Sequence, residues 1–197
     1  MSYVIIFAGG TASGKTTIAN KIIHHLDALV LTHDRYYKDI EIQEGHNFDE
    51  PDALDNDRII EDIKSLKKHY PTVVPKYHFP THKRLPEGEL LHPQKYLIVE
   101  GILTLAVPKI AELADLKIYV DAPDDIRLAR RIERDVIVRG RNVQGVLKQY
   151  METVRPMHNL HIEPSRNQAD LVLLGTTPID KNIESVIQEL RKRNAYT

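Results

Sequence analysis

Apolar residues along this chain fall into short unbroken runs, and between the runs they recur at helical spacing. Tyr3–Ala8 (YVIIFA), Ala28–Thr32 (ALVLT), Tyr96–Glu100 (YLIVE), Leu116–Asp121 (LKIYVD) and Leu171–Leu174 (LVLL) each have the texture of a strand buried on both faces. Period-3.6 patterns predict helices over 16–26, 57–70, 107–114, 124–138, 143–154 and 179–193. Strands separated by helices need crossover connections, which makes the sheet mostly parallel with helices on both faces. Two segments break the rhythm. The stretch 33–57 is polar, with local turn signals only. The stretch 71–93 carries Pro71, Pro75, Pro80, Pro86 and Pro93 and short alternating runs, as in loops or small antiparallel strands. About 20 residues cannot hold a core of their own, so this reads as an insertion within one α/β domain spanning 1–197.

Composition narrows the chemistry. The 197 residues are 42% hydrophobic and 28% charged, with 27 Lys+Arg against 28 Asp+Glu and no cysteine. A thiolate nucleophile, a disulfide scaffold and a Cys-ligated metal are therefore excluded. A balanced charge argues against bulk nucleic-acid binding. The opening run, 1–8, lacks a basic flank and is too short for a signal peptide or a membrane span, and no other apolar run is long enough. The expectation is a soluble protein, cytoplasmic, with no nucleic-acid or membrane partner.

The segment Gly9-Gly10-Thr11-Ala12-Ser13-Gly14-Lys15-Thr16 matches G-x-x-x-x-G-K-[ST] between a buried strand and a helix start. There the backbone amides can cradle phosphate oxygens, Lys15 can reach the outer phosphates and the Thr16 hydroxyl can hold Mg²⁺. Switches, motors and kinases share such a cradle, so the carboxyl ends of neighbouring strands matter. Asp34 follows the second strand and Glu100 ends the third. The first could accept a proton from a phosphoryl acceptor and the second could bind Mg²⁺, although either alone could equally cap a helix or sit in a solvated loop. In 124–141 there are six arginines. On a helical wheel Arg127, Arg130, Arg131 and Arg134 share one side, opposite Leu128, Ile132 and Val136, which predicts an arginine face and a core face. Arg131 and Arg134 are the candidates for stabilising charge on a transferring phosphoryl group, and Arg139-Gly140-Arg141 offers a turn for a closing lid.

Several segments carry a family resemblance: Gly9–Thr17, Asp34-Arg35-Tyr36-Tyr37-Lys38, Asn47-Phe48-Asp49-Glu50-Pro51, Glu100-Gly101-Ile102-Leu103, Arg130-Arg131 with Arg134-Asp135, Gln149-Tyr150 and Ile162-Glu163-Pro164-Ser165. Over about residues 3–190 the chain closely resembles the uridine kinase (uridine–cytidine kinase) family. The resemblance implies a P-loop kinase fold and transfer of the γ-phosphoryl group of ATP or GTP to the 5′-hydroxyl of uridine or cytidine, with Mg²⁺ and, by family habit, a homotetramer. It implies Asp34 as the base, Lys15 and Arg131 as catalytic groups, and Asp49 as a ribose ligand. Tyr37, Tyr77 and His82 would line the base pocket, and Arg131 with Gln149 would contact the nucleoside. Gly9, Gly10, Thr11, Ala12, Ser13, Gly14, Lys15, Thr16, Thr17, Arg134 and Arg141 would hold the donor, and Thr16 with Glu100 the metal. Three departures from the family pattern are expected near the acceptor: His78 in place of an acid, Thr104-Leu105 in place of aromatics, and a short 38–46 loop. A related kinase with another small hydroxyl acceptor, or a nucleotide sensor without transfer, are the competing readings; a carboxylate at the acceptor position argues against the sensor.

Overall fold

A computed structural model of the chain describes residues 1–39, 47–79 and 81–196. In chain order its elements begin with β1 (Tyr3–Ala8), α1 (Lys15–Ile22), β2 (Ala28–Thr32) and α2 (Asn56–Lys67). Next come β3 (Thr72–Val74), β4 (Tyr77–His78), β5 (Lys83–Arg84), β6 (Glu89–Leu91), β7 (Tyr96–Glu100), α3 (Pro108–Ala111) and β8 (Leu116–Asp121). The remainder comprises α4 (Asp124–Ile137), α5 (Val143–Gln149), α6 (Arg155–Met157), α7 (Glu163–Ser165), β9 (Leu171–Leu174) and α8 (Ile179–Lys192). The five expected strands have the expected bounds and form one parallel sheet in the order β2-β7-β1-β8-β9.

Alternation along β1 sends Val4, Ile6 and Ala8 to one face and Ile5 and Phe7 to the other, all fully buried. The first face packs against Ile59, Ile63 and Leu66 of α2, the second against Ile18 and Ile22 of α1 and Val186 and Leu190 of α8. Each buried aliphatic side chain contributes roughly 2 kcal/mol. Register then fixes the site: Phe7 pairs with Glu100, and Glu100 with Thr32. The loops after β1, β2 and β7 therefore leave the sheet at one level, although they lie up to about 90 residues apart in sequence.

The segment 71–93 forms two small antiparallel pairs, β3 with β6 and β4 with β5, as its prolines suggested. Helix bounds differ by a turn or less except at two places. Helix α3 has only four residues, begun by Pro108. The helix expected over 143–154 instead continues in helical form to Gln168. Within it, wide i→i+5 turns at Tyr150–Val154 and His158–Ile162 precede Pro156 and Pro164. A proline lacks the amide that an interior turn needs, and widening the preceding turn accommodates it. Among the described residues no helix is long and apolar enough to cross a membrane.

Candidate functional site

The loop after β1 is shaped by backbone that few side chains tolerate. Gly9 has φ +139°, and a Cβ there would stand 2.3 Å from the Val120 carbonyl oxygen; Gly14 has φ +103° and caps α1. Among the described residues no side chain caps the first turn of α1, so its amides can face an anion. A cavity of about 940 Å³ opens there and runs along the carboxyl edge of the sheet. Thr11, Ala12, Gly14, Lys15, Thr16 and Thr17 line one end of it. Gly9, Gly10 and Ser13, expected among the phosphate contacts, are buried and stand just behind this lining.

Asp34 and Glu100 reach the cavity from β2 and β7. The Thr16 hydroxyl donates to Glu100 Oε2 at 3.0 Å. Glu100 is 3% exposed, and burial raises its pKa against the opposing pull of Lys15. This hydroxyl–carboxylate pair of hard oxygens fits Mg²⁺, which binds through one or two protein ligands and fills its shell with water and substrate phosphates. Among the described residues no group of three or more acids and histidines is built for a metal, and such an ion needs none.

Beyond Asp34 the lining turns aromatic: Tyr37, Phe48, Tyr77, Phe79 and His82. Tyr37 and Tyr77 are tilted at 5.3 Å, Phe48 stacks on His82 at 4.9 Å, and Tyr77 meets Phe79 edge-on at 5.3 Å. Asp49 lies among them, 6% exposed. Burial pushes its carboxyl up to about 6; Arg131 opposes this and Asp34 adds to it. An aromatic box with one buried carboxylate suits a flat heterocycle carrying vicinal hydroxyls. Two of the departures expected at the acceptor lie outside the cavity lining. His78 is exposed and bonded to Thr81 Oγ1, Thr104 is fully buried and donates to the Gly101 carbonyl, and neither lines the cavity. Most of the 38–46 loop lies outside the described residues.

Helix α4 corrects the wheel. Its buried line is Arg127, Arg131 and Asp135, whereas Leu128, Ile132 and Val136, expected in the core, are only half-buried. The arginine side faces inward because it closes the cavity. Arg131 donates to Thr11 Oγ1 at 3.0 Å and to Gln149 Oε1 at 2.9 Å. Arg127 lies under the loop, so close that a Cβ on Gly10 would stand 2.6 Å from its Nη1. Arg134, Arg141 and Gln149 line the cavity as expected.

Sequence reasoning put Arg130 on the arginine face without a role and missed its neighbours beside the cradle: Gly175, Thr176, Thr177, Pro178 and Asn182 also line the cavity. Arg130 donates to the Gly175 carbonyl at 3.1 Å, and a Cβ on Gly175 would overlap the Ser13 carbonyl at 1.8 Å. A glycine directly after the last strand, at the carboxyl edge, was the available signal. Phe48 and Phe79 were also missed, and Arg139, expected only in a lid turn, lines the cavity and stands over the Phe79 ring at 5.2 Å.

Residues 4–181 match the profile of the phosphoribulokinase/uridine kinase family. A uridine kinase of Chloroflexus aurantiacus is 40% identical over 180 residues, 87% of this chain and 86% of that protein. One from Borreliella burgdorferi is 42% identical over 178 residues, 88% of this chain and 86% of that protein. Among solved structures, a kinase provisionally assigned to a fructose transport system in Silicibacter sp. TM1040 superposes with a TM-score of 0.73 at 20% identity. It covers 87% of this chain and 89% of its own, a likeness of fold.

Proposed function

Since the chain belongs to the phosphoribulokinase/uridine kinase family and is a phosphotransferase with a hydroxyl acceptor, we propose that it transfers the γ-phosphoryl group of ATP or GTP to the 5′-hydroxyl of uridine or cytidine, a step of pyrimidine salvage. The observation that carries this reading is one continuous cavity with the phosphate cradle at one end, an aromatic box at the other and Asp34 between them.

In this reading the nucleoside base lies in the box of Tyr37, Tyr77 and His82, and Asp49 accepts hydrogen bonds from the ribose hydroxyls. Arg131 and Gln149 contact the nucleoside, and their mutual hydrogen bond fixes the guanidinium before the substrate arrives. Asp34 takes the proton of the 5′-hydroxyl as its oxygen bonds to the γ-phosphorus. The bond from that phosphorus to the β–γ bridging oxygen breaks, and the nucleoside diphosphate leaves. The amides of residues 9–17, Lys15, Arg134 and Arg141 hold the donor's phosphates where negative charge builds up. Thr16 and Glu100 would hold Mg²⁺, which when bound neutralises phosphate charge.

The reading also includes a single domain, with the 71–93 insertion completing the acceptor pocket, and a cytoplasmic homo-oligomer, a tetramer by resemblance. In its support, Val73 and Leu90, paired across β3 and β6, are each about half-exposed. Sedimentation tests the oligomer. A coupled assay with ATP, Mg²⁺ and a panel of ribosides tests the activity. Turnover of uridine or cytidine is expected; failure of both, with another hydroxyl compound turning over, rejects the substrate assignment.

A further inference from the structure

Asp135 is fully buried near the end of α4 and does not line the cavity. Four guanidinium groups converge on its carboxylate: Arg134 at 2.8 Å, Arg141 at 3.3 Å, Arg139 at 3.4 Å and Arg131 at 3.7 Å. The Arg141 amide also donates to the Asp135 carbonyl at 3.0 Å, so one residue ties down the turn after α4 by both backbone and side chain. From α5, Gln149 Oε1 accepts from Arg131 at 2.9 Å and from Arg141 at 2.7 Å. Arg134, Arg139 and Arg141 are each about a third exposed and all line the cavity; the carboxylate that gathers them stands behind.

This geometry has a chemical consequence. Four like charges repel one another, and arginine side chains are long and mobile, so without a buried anion the cluster would splay toward water. One carboxylate is enough to gather the guanidiniums but not to neutralise them. The surplus positive charge points into the cavity, where a polyanion would bind.

We propose that Asp135 is a positioning residue for phosphoryl transfer, setting Arg134, Arg139 and Arg141 along the cavity between the phosphate cradle and the aromatic lining before the triphosphate arrives. The proposal rests on the nucleoside kinase reading and adds to it a residue that touches neither substrate. It separates Asp135 from a helix-stabilising acid, whose loss would lower stability alone.

The test compares the full-length wild type with Asp135→Asn and Asp135→Glu, each kept well below its melting temperature as fixed by circular dichroism. Trypsin cleavage after Arg139 and Arg141, with fragments identified by mass, reports release of the turn and needs no turnover. In Asp135→Asn the turn is expected to be cut faster, and kcat to fall by roughly 10- to 100-fold with the nucleoside KM nearly unchanged. Asp135→Glu should recover part of both. A lowered melting temperature with wild-type cleavage and wild-type kcat overturns the proposal. So does faster cleavage without loss of kcat, or loss of kcat without faster cleavage. A wild-type enzyme inert toward uridine and cytidine would sink the nucleoside kinase reading instead, while the cleavage comparison would still decide whether Asp135 holds the turn.

Discussion

Asp49 offers a prediction in which stability and activity move in opposite directions. Burial raises its carboxyl from the ordinary 3.8 to about 6, with Arg131 and Lys15 only partly compensating. Between those two pH values the folded chain keeps a proton that the unfolded chain has lost. Stability therefore falls as pH rises through this window, and the deficit is complete above about pH 6. At 1.36 kcal/mol per pH unit the deficit is ~3 kcal/mol near neutrality. Asn has the same shape and carries no charge, so Asp49→Asn should be up to ~3 kcal/mol more stable than wild type near neutral pH, with the gap closing toward pH 4. Meanwhile the ribose hydroxyls lose a charged acceptor worth about 1.5–3 kcal/mol, and kcat/KM for the nucleoside should drop roughly 10- to 100-fold with the KM for ATP unchanged. Urea denaturation at about pH 7 and about pH 4.5 measures the first effect, and steady-state kinetics the second. His33, held down to about 4 by burial, titrates in both chains and drops out of the comparison. An Asn variant less stable than wild type at neutral pH, or a gap that does not close on acidification, would refute the argument.

Asp34→Asn should keep ATP affinity, read by nucleotide titration, while single-turnover transfer falls on the order of 10²-fold. Glu100→Gln should raise the Mg²⁺ concentration needed for half-maximal activity by about 10-fold or more, since the Thr16–Glu100 pair loses its charge; unchanged Mg²⁺ dependence would remove Glu100 from the metal site. Gly9→Ala would drive a methyl group to 2.3 Å from the Val120 carbonyl oxygen and should cost more than about 2 kcal/mol in urea denaturation. Gly140→Ala is its control: φ is +64° with no described atom within 4 Å of the added methyl, so only about 1–2 kcal/mol of backbone strain is expected.

The sheet was legible because its strands are buried on both faces, and such strands appear as unbroken apolar runs whose ends need no long-range information. The phosphate cradle was legible because its glycines are demanded locally, by φ values and close carbonyls around Gly9 and Gly14. The acceptor box was legible only through resemblance: Tyr37, Asp49 and the β4–β5 hairpin that carries Tyr77 and His82 lie in separate segments, and no periodicity connects them. The Arg130–Gly175 contact beside the cradle escaped because it depends on β9 lying beside β8, a pairing that appears only once the sheet is assembled. The course of 155–168 escaped because Pro156 and Pro164 ordinarily end helices, whereas here widened turns let the chain continue.

The inverted burial of α4 follows from the same convergence. A wheel assigns apolar residues to the interior because most interiors are apolar, but the surface this helix covers is a phosphate loop, and its best partners are cations. Burial and neighbouring Arg134 hold both Arg131 and Arg139 below the usual arginine range, although Asp135 pulls each back. A fold under selection for stability alone would not leave four guanidiniums sharing one buried carboxylate beside an open cavity. The arrangement becomes favourable when a polyanion completes it, so the strain in the empty protein and its affinity for a triphosphate have one electrostatic origin.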